Sequence, residues 1–482
     1  MTTPHQDTIF ALSSAAGKAG VAVIRISGPQ ACDTLKIFNQ KVKYKQSRLA
    51  QFMPLFHPGT NDKIDEVLIV GFQAPNSFTG EDVIELQCHG SPAVLTEIFA
   101  VLSAQKGFRM ADHGEFTRRA FENEKMDLTE AEAIADLIDA ETKAQKDQAL
   151  AQMDGALSTL YQGWAKELSR ILAYVEAVID FPDEDVPDDE IEKVKPDLEM
   201  LAEQIDVHLN DNRRGERLRE GIKIAVIGAP NAGKSSFVNA LAQRDVAIVS
   251  DMAGTTRDII EAHLNLGGYP VIIADTAGLR PDLLDDGGHE AVEGEGIRRA
   301  LAYAREADYR ILMFDASESK PDEDTLNLID ENTLILLNKV DKISDKQVEK
   351  YREKITTKYK FYLQNVEKSK PSSEQSDDAI LSQVIDISIE NEIGLSQLLE
   401  KLKNIIANNY SVSRETLSLT RARHRENLTE ALANIHTALE KSEPELLGQE
   451  LRFALHAIGR ITGRVDVEDL LDIIFKDFCI GK

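Results

Sequence analysis

Residues 228–235 run Gly-Ala-Pro-Asn-Ala-Gly-Lys-Ser, the pattern G-x-x-x-x-G-K-S. A β-rich run over 222–227 leads into it and a helical stretch follows to Gln243. No other feature of the chain restricts its fold so tightly. Strand, Gly-rich turn and helix in that order make a phosphate-binding loop in a doubly wound α/β domain. The glycines let backbone N–H groups close around a β-phosphate, and the helix N-terminus adds its partial positive charge. Lys234 is expected to bridge β- and γ-phosphates, and the Ser235 hydroxyl to ligate Mg²⁺. Nucleotide contacts are expected along Asn231, Ala232, Gly233, Lys234, Ser235 and Ser236. The bland alternative is a Gly-rich turn without ligand; strand, motif and helix together argue against it.

The sequence Asp275, Thr276, Ala277, Gly278 follows an apolar run over 271–274. Its carboxylate can hold Mg²⁺ through water, and the Gly278 N–H can meet a γ-phosphate. D-x-x-G alone is usually only a turn, but here it follows a phosphate loop. Asn338, Lys339, Val340 and Asp341 come after the apolar run 333–337 and decide the base. A carboxylate at Asp341 accepts from both the ring N–H and the exocyclic amine of guanine. Adenine offers no such pair and leaves the charge unmatched, so the nucleotide is GTP. Between these motifs, Thr256 in the stretch 254–258 is a candidate for reaching Mg²⁺ and sensing the γ-phosphate, against the alternative of an ordinary Ser/Thr turn. Leu279 stands where many GTPases carry a water-orienting glutamine, so hydrolysis must draw on another residue, an ion or a partner.

The 482 residues are enough for about three domains. Residues 1–121 mix short β-rich runs (21–26, 67–72, 83–88) with Gly/Pro turns, suggesting an α+β domain. Leu160, Trp164, Leu168, Ile171, Val175 and Val178 recur at helical spacing, and Thr129 with Glu132 has capping-box spacing for an earlier helix. Helical stripes return with Leu428, Leu432, Ile435 and Leu439, then Leu447, Leu451, Leu455 and Ile458. The economical division is an α+β domain over 1–121, an all-α domain over 122–218 and 409–482, and an α/β P-loop domain over 219–408 inserted into it. Two unrelated helical segments are the alternative. Residues 364–378 read as a loose polar loop.

The formal charge of −27 argues against a protein that wraps nucleic acid unaided, while leaving room for a local patch or a basic partner. The acidic run 180–190 reads as a solvated connector rather than an ion site, and Arg213, Arg214, Arg217 and Arg219 as a solvated helix face rather than a tRNA contact. No apolar run approaches the roughly 18–20 residues of a membrane span, no secretion signal is visible, and three scattered cysteines suit a reducing cytoplasm.

Beyond the GTPase motifs, the chain carries V-I-R-I-S-G over 23–28, P-N-S-F-T-G-E-D over 75–82, G-E-F-T-R-R-A-F over 114–121 and a terminal F-C-I-G-K over 478–482. With these segments and this domain order it resembles, end to end, the bacterial MnmE (TrmE) family of tRNA-modification GTPases. The resemblance implies a cytoplasmic homodimer acting with the flavoprotein MnmG (GidA). Together they place an aminomethyl or carboxymethylaminomethyl group at C5 of the tRNA wobble uridine. A 5-formyl- or 5,10-methylene-tetrahydrofolate supplies the one-carbon unit, held by Arg25, Glu85, Lys125 and Lys482. Cations suit the folate's glutamate tail and a carboxylate its pterin edge; without the family, each reads as a charged residue near a turn. Cys479 occupies the family's C-terminal cysteine position, where catalysis and packing beside Phe478 are both open.

The resemblance also implies a potassium ion in place of an arginine finger. Asn231, Ser250, Met252 and Thr255 would hold it, with hydrolysis occurring as two G domains meet. Glu293 would position the attacking water indirectly, or else simply begin a solvated helix. Ser388 would complete the guanine loop. The chain departs from the family's pattern at the insertion 283–290, at Gly294 and Glu295, at Ile389 after Ser388, and at Ala19. Two rival functions are a switch in ribosome assembly, which calls for a basic RNA-binding module not found here, and a folate-binding scaffold whose GTPase regulates assembly.

Overall fold

Alternation in the first domain sorts side chains between two sheet faces. Strands β1 (Thr8–Leu12), β2 (Ala19–Ser27), β3 (Gln51–Phe56), β4 (Lys63–Phe72), β5 (Val83–Gly90) and β6 (Phe108–Met110) form one sheet in the order β3-β4-β5-β2-β1-β6. All pairings are antiparallel except β1 with β6. Ala22, Ile24 and Ile26 on β2 join Ile84, Leu86 and Cys88 on β5 in the core, beneath Ile98, Val101 and Leu102 of the helix Pro92–Ser103. The period of two sends Arg25 to the opposite face, directly across from Glu85.

The computed structural model describes residues 7–41, 48–180, 191–244, 246–248, 261–275, 303, 305–330, 332–366, 384–410, 418–465, 468–476 and 478–481. The chain forms two compact units. One comprises Met1–Ile138, Ala149–Val207 and Arg423–Lys482, the other Asp139–Gln148 and His208–Ala422. Among the described residues, no helix is long and apolar enough to cross a membrane.

In the first unit, the sheet is joined by helices. The helix Ala156–Asp180 buries Leu157, Trp164, Leu168, Ile171 and Val175, and it packs along the helix Pro444–Thr462. Arg452 and Glu176, 276 residues apart, pair across them. Close approach comes from small residues: Gly448 lies against Val175 and Ile179, and Ala454 and Ala457 are fully buried. The expected leucine stripes are therefore shifted. Leu428, Ile435, Leu447, Leu451 and Ile458 are buried, whereas Leu432, Leu439 and Leu455 are half-buried and alanines take the inner positions.

The helix Leu128–Ile138 corrects the capping expectation. Asp127 Oδ1 accepts from Thr129 N at 2.9 Å and Glu130 N at 3.1 Å, while Glu130 Oε2 accepts from Asp127 N at 2.8 Å. The box thus spans Asp127 and Glu130. Glu132 is instead buried against Arg423 (3.0 Å) and His424 (2.8 Å), just where the chain enters the unit's last segment.

In the second unit, β7 (Ile222–Ile227), β8 (Glu261–Leu266), β9 (Tyr269–Asp275), β10 (Tyr309–Asp315), β11 (Thr333–Asn338) and β12 (Val384–Asp386) order as β12-β11-β10-β7-β9-β8. All pair in parallel except the hairpin β8–β9, whose two-residue turn Gly267–Gly268 has φ of 63° and 95°. Every residue of β11 is buried, as a strand covered on both faces must be. The fold class read from the sequence, α+β with an all-α part and an α/β P-loop part, is the one formed. Residues 364–366 belong to the helix Asp345–Val366 rather than to a loop.

Candidate functional site

Parallel strands deliver their carboxyl ends to one edge of the sheet, where open α/β folds place their ligands. The loop after β7 carries Gly228, β9 ends on Asp275, β10 on Asp315 and β11 on Asn338. Gly228 has no room for a side chain, since a Cβ would strike the Met313 carbonyl. Asn231 takes φ 64° and Gly233 φ 101°, and the helix Lys234–Ala242 starts at once. The positive end of its dipole therefore lies at the phosphate loop.

Lys234, 8% exposed, is held by hydrogen bonds from Nζ to the carbonyls of Gly228 at 2.7 Å and Ala229 at 2.9 Å. The Ser235 hydroxyl donates to a carboxylate oxygen of the fully buried Asp275. Two hard oxygen donors set side by side suit Mg²⁺. The base motif is tied to the same loop: Asn338 Nδ2 donates to the Ala232 carbonyl at 2.8 Å, and Lys339 Nζ to the Asn231 carbonyl at 2.8 Å. Asp341 follows in an exposed 3-10 turn, Val340–Lys342. Ser388 is buried, its backbone paired with Ile393 and its hydroxyl accepting from Asn391 N at 3.2 Å.

Asp315 is the residue that sequence reasoning missed. Its Oδ2 lies 2.5 Å from Lys339 Nζ, and Oδ1 accepts from Ser317 N at 3.0 Å. Burial pushes this carboxyl upward, but the hydrogen bonds from Lys339 and Ser317 outweigh that and hold it below its ordinary value. Its only sequence signal is an acid ending the apolar strand that pairs, in register, with Asn338.

In the first unit, Arg25 donates to Glu85 at 3.0 Å, and its guanidinium carbon lies 5.1 Å from the Phe78 ring centroid and 5.8 Å from that of Phe116. The two residues thus pair with each other, and two aromatic rings flank the cation. Lys125 Nζ donates to the Pro75 carbonyl at 2.9 Å. At the C-terminus Phe478 is buried but Cys479 is exposed. The Phe478 carbonyl lies 2.9 Å from His113 Nδ1, and the Gly481 carbonyl accepts from Ser13 Oγ at 2.9 Å.

A polar network centred on the buried Arg119 links three of the sequence motifs. Ser27 Oγ contacts Thr79 Oγ1 and Glu81 Oε2, both at 2.7 Å. Arg119, fully buried, reaches Glu81 at 3.2 Å, Glu115 at 3.1 Å and Asp7 at 2.9 Å. Arg217 pairs with Asp308 and Arg213 with Glu216, so these two arginines are engaged within the chain. Ser250, Met252, Thr255, Thr256, Thr276, Ala277, Gly278, Leu279, Glu293 and Lys482 lie outside the described residues.

Residues 128–479 match the MnmE helical domain family, and residues 8–125 match the GTP-binding protein TrmE N-terminus. The chain is 48% identical over 489 residues to a tRNA modification GTPase MnmE of Parvibaculum lavamentivorans, covering 99% of this chain and 100% of the relative. It is 45% identical over 478 residues to that of Rickettsia rickettsii, again covering 99% and 100%. Among solved structures, the G domain of the T. maritima FeoB iron transporter matches 40% of this chain and 99% of its own at 22% identity, with a TM-score of 0.22. On its full-length identity and both domain matches, the chain belongs to the MnmE (TrmE) family of tRNA modification GTPases.

Proposed function

We propose that this GTPase works with the flavoprotein MnmG (GidA) to add an aminomethyl or carboxymethylaminomethyl group at C5 of the wobble uridine of certain tRNAs. The carbon comes from 5-formyl- or 5,10-methylene-tetrahydrofolate. The observation that carries this reading is identity of 48% running from end to end of a tRNA modification GTPase, through the first and helical domains as well as the nucleotide site. On this reading the protein is a cytoplasmic homodimer, and GTP hydrolysis drives G-domain pairing and conformational cycling. Analysis of tRNA nucleosides by mass spectrometry in a deletion strain tests it. Unmodified wobble uridine is expected; intact modification with defective ribosomal subunits would favour the assembly switch instead.

The residues present suit each group. Ser235 and Asp275 bring hydroxyl and carboxylate together for Mg²⁺. Arg25 and Glu85, with Phe78 and Phe116 beside them, offer charge and flat apolar surface to a folate, with Lys125 and Lys482 as further cations. The exposure of Cys479 supports a chemical role for it over packing beside Phe478.

For potassium, Asn231 projects from the phosphate loop at φ 64° with its side chain exposed. Ser250, Met252 and Thr255 are the proposed co-ligands, and Glu293 and Thr256 act on the water and the Mg²⁺. A bound K⁺ would offset charge developing between β- and γ-phosphates, the task of an arginine finger worth ~10³–10⁵ in rate. Replacing K⁺ by Na⁺ at constant ionic strength should therefore suppress turnover by at least about 10-fold. Equal rates in both salts would remove Asn231 as a potassium ligand.

A further inference from the structure

Two successive residues of the base-reading motif grip two successive carbonyls of the phosphate loop: Asn338 holds Ala232, and Lys339 holds Asn231. The grip is tight, because a Cβ on Gly233 would strike Asn338 Nδ2. Asn338 approaches from a fully buried strand that fixes it. Lys339 has left that strand, turning at φ 63°, and a lysine side chain has several rotatable bonds to be held. What holds it is Asp315, at the end of the neighbouring strand and in register with Asn338. The two side chains are only 25% and 13% exposed, so their attraction is little screened by solvent. Asp315 is itself fixed by the backbone N–H and hydroxyl of Ser317, at 3.0 and 2.5 Å.

We propose that Asp315 is a positioning residue for GTP: through Lys339 it clamps the Asn231 carbonyl, so that the base-reading strand end and the phosphate loop form one rigid unit. It touches no nucleotide itself and contributes only by fixing where Lys339 and the loop stand before the ligand arrives. Preorganisation of this kind acts on affinity, since the ordering cost is met before binding. GDP has no γ-phosphate for the proposed potassium to act beside, so its binding reads this role whether or not Asn231 ligates that ion.

The test is a double-mutant cycle on the full-length protein, with fluorescent GDP as probe at a temperature where circular dichroism finds every variant folded. Asp315→Asn and Lys339→Met should each weaken GDP binding by about 10-fold, the scale of one charge-assisted hydrogen bond. The double variant should be no weaker than Lys339→Met alone, because Asp315 acts only through that lysine. Asp315→Glu, which keeps the carboxylate, should recover part of the loss, and Asp315→Ser, which removes it, serves in the cycle if Asp315→Asn does not fold. Unchanged GDP affinity in Asp315→Asn, or single effects that simply add, would overturn the proposal. A purely structural aspartate would lower the melting temperature and leave the affinity of the folded variant intact.

Discussion

Asp341→Asn is expected to lower affinity for GTP by about 10²–10⁴-fold and to turn preference toward XTP. The carboxylate is proposed to accept two hydrogen bonds from guanine, each to a charged group and each worth ~1.5–3 kcal/mol. Asparagine keeps the size and shape but offers one acceptor and one donor. Its NH₂ then faces the exocyclic amine of guanine, donor against donor, whereas xanthine has a carbonyl there and restores the pair. Asp341 is exposed in the short turn after β11, so the exchange spares the core and the Lys339 and Asn338 bonds to the loop. Competition of GTP and XTP against fluorescent GDP measures the ratio. If GTP remains preferred at near-normal affinity, Asp341 does not read the base.

The local signals were the legible ones. Gly228–Ser235 could be placed because glycine spacing, lysine and helix start all fall within one turn of chain, and the structure sets them at the end of β7. The alternation of β2 was equally plain, though the pairing of Arg25 with Glu85 requires a register between strands that periodicity does not supply. Asp315 was invisible for the same reason: its partner lies 24 positions away, and only the parallel pairing of β10 with β11 brings them together. Thr129 and Glu132 matched a capping pattern, yet Asp127 and Glu130 formed the cap and freed Glu132 for a partner 292 residues distant. Spacing specifies which positions are able to cap; tertiary contacts decide which do. The leucine stripes failed more mildly, because close helix packing selected alanine and glycine for the innermost rows.

Arg119 reverses the usual expectation for charge most sharply, since its helix reads as strongly polar and yet the guanidinium is fully buried. Arg119→Met should destabilise the unit that contains the first sheet by about 3 kcal/mol at neutral pH, the lower end for breaking a buried ion pair by removing one partner. The lower end applies because Arg109 still faces Asp7 at 2.5 Å and also pairs with Glu115. The remaining penalty falls on Glu81, which keeps Ser27 Oγ at 2.7 Å but loses its cation, and on Glu115, 8% exposed. The pH dependence separates this cause from lost packing. Burial alone would raise the carboxyls of Asp7 and Glu115, but the hydrogen bonds from Arg109 and the charges of Arg109 and Arg119 outweigh it and hold both below their ordinary 3.8 and 4.5. A lowered native value means that the unfolded chain binds more protons, so the associated stability is present above the ordinary values and is lost as pH falls through the lowered ones. Without Arg119, both carboxyls move back toward their unfolded values and that part of the stability is missing at every pH. The gap between wild type and Arg119→Met should therefore be widest near neutrality and shrink on acidification below the ordinary carboxylate range. Urea unfolding of the two proteins at stepped pH measures this, following the transition of that unit because two units need not unfold together. A gap that stays constant down to the acid limit would assign the loss to the volume and shape of the side chain, and not to its charge.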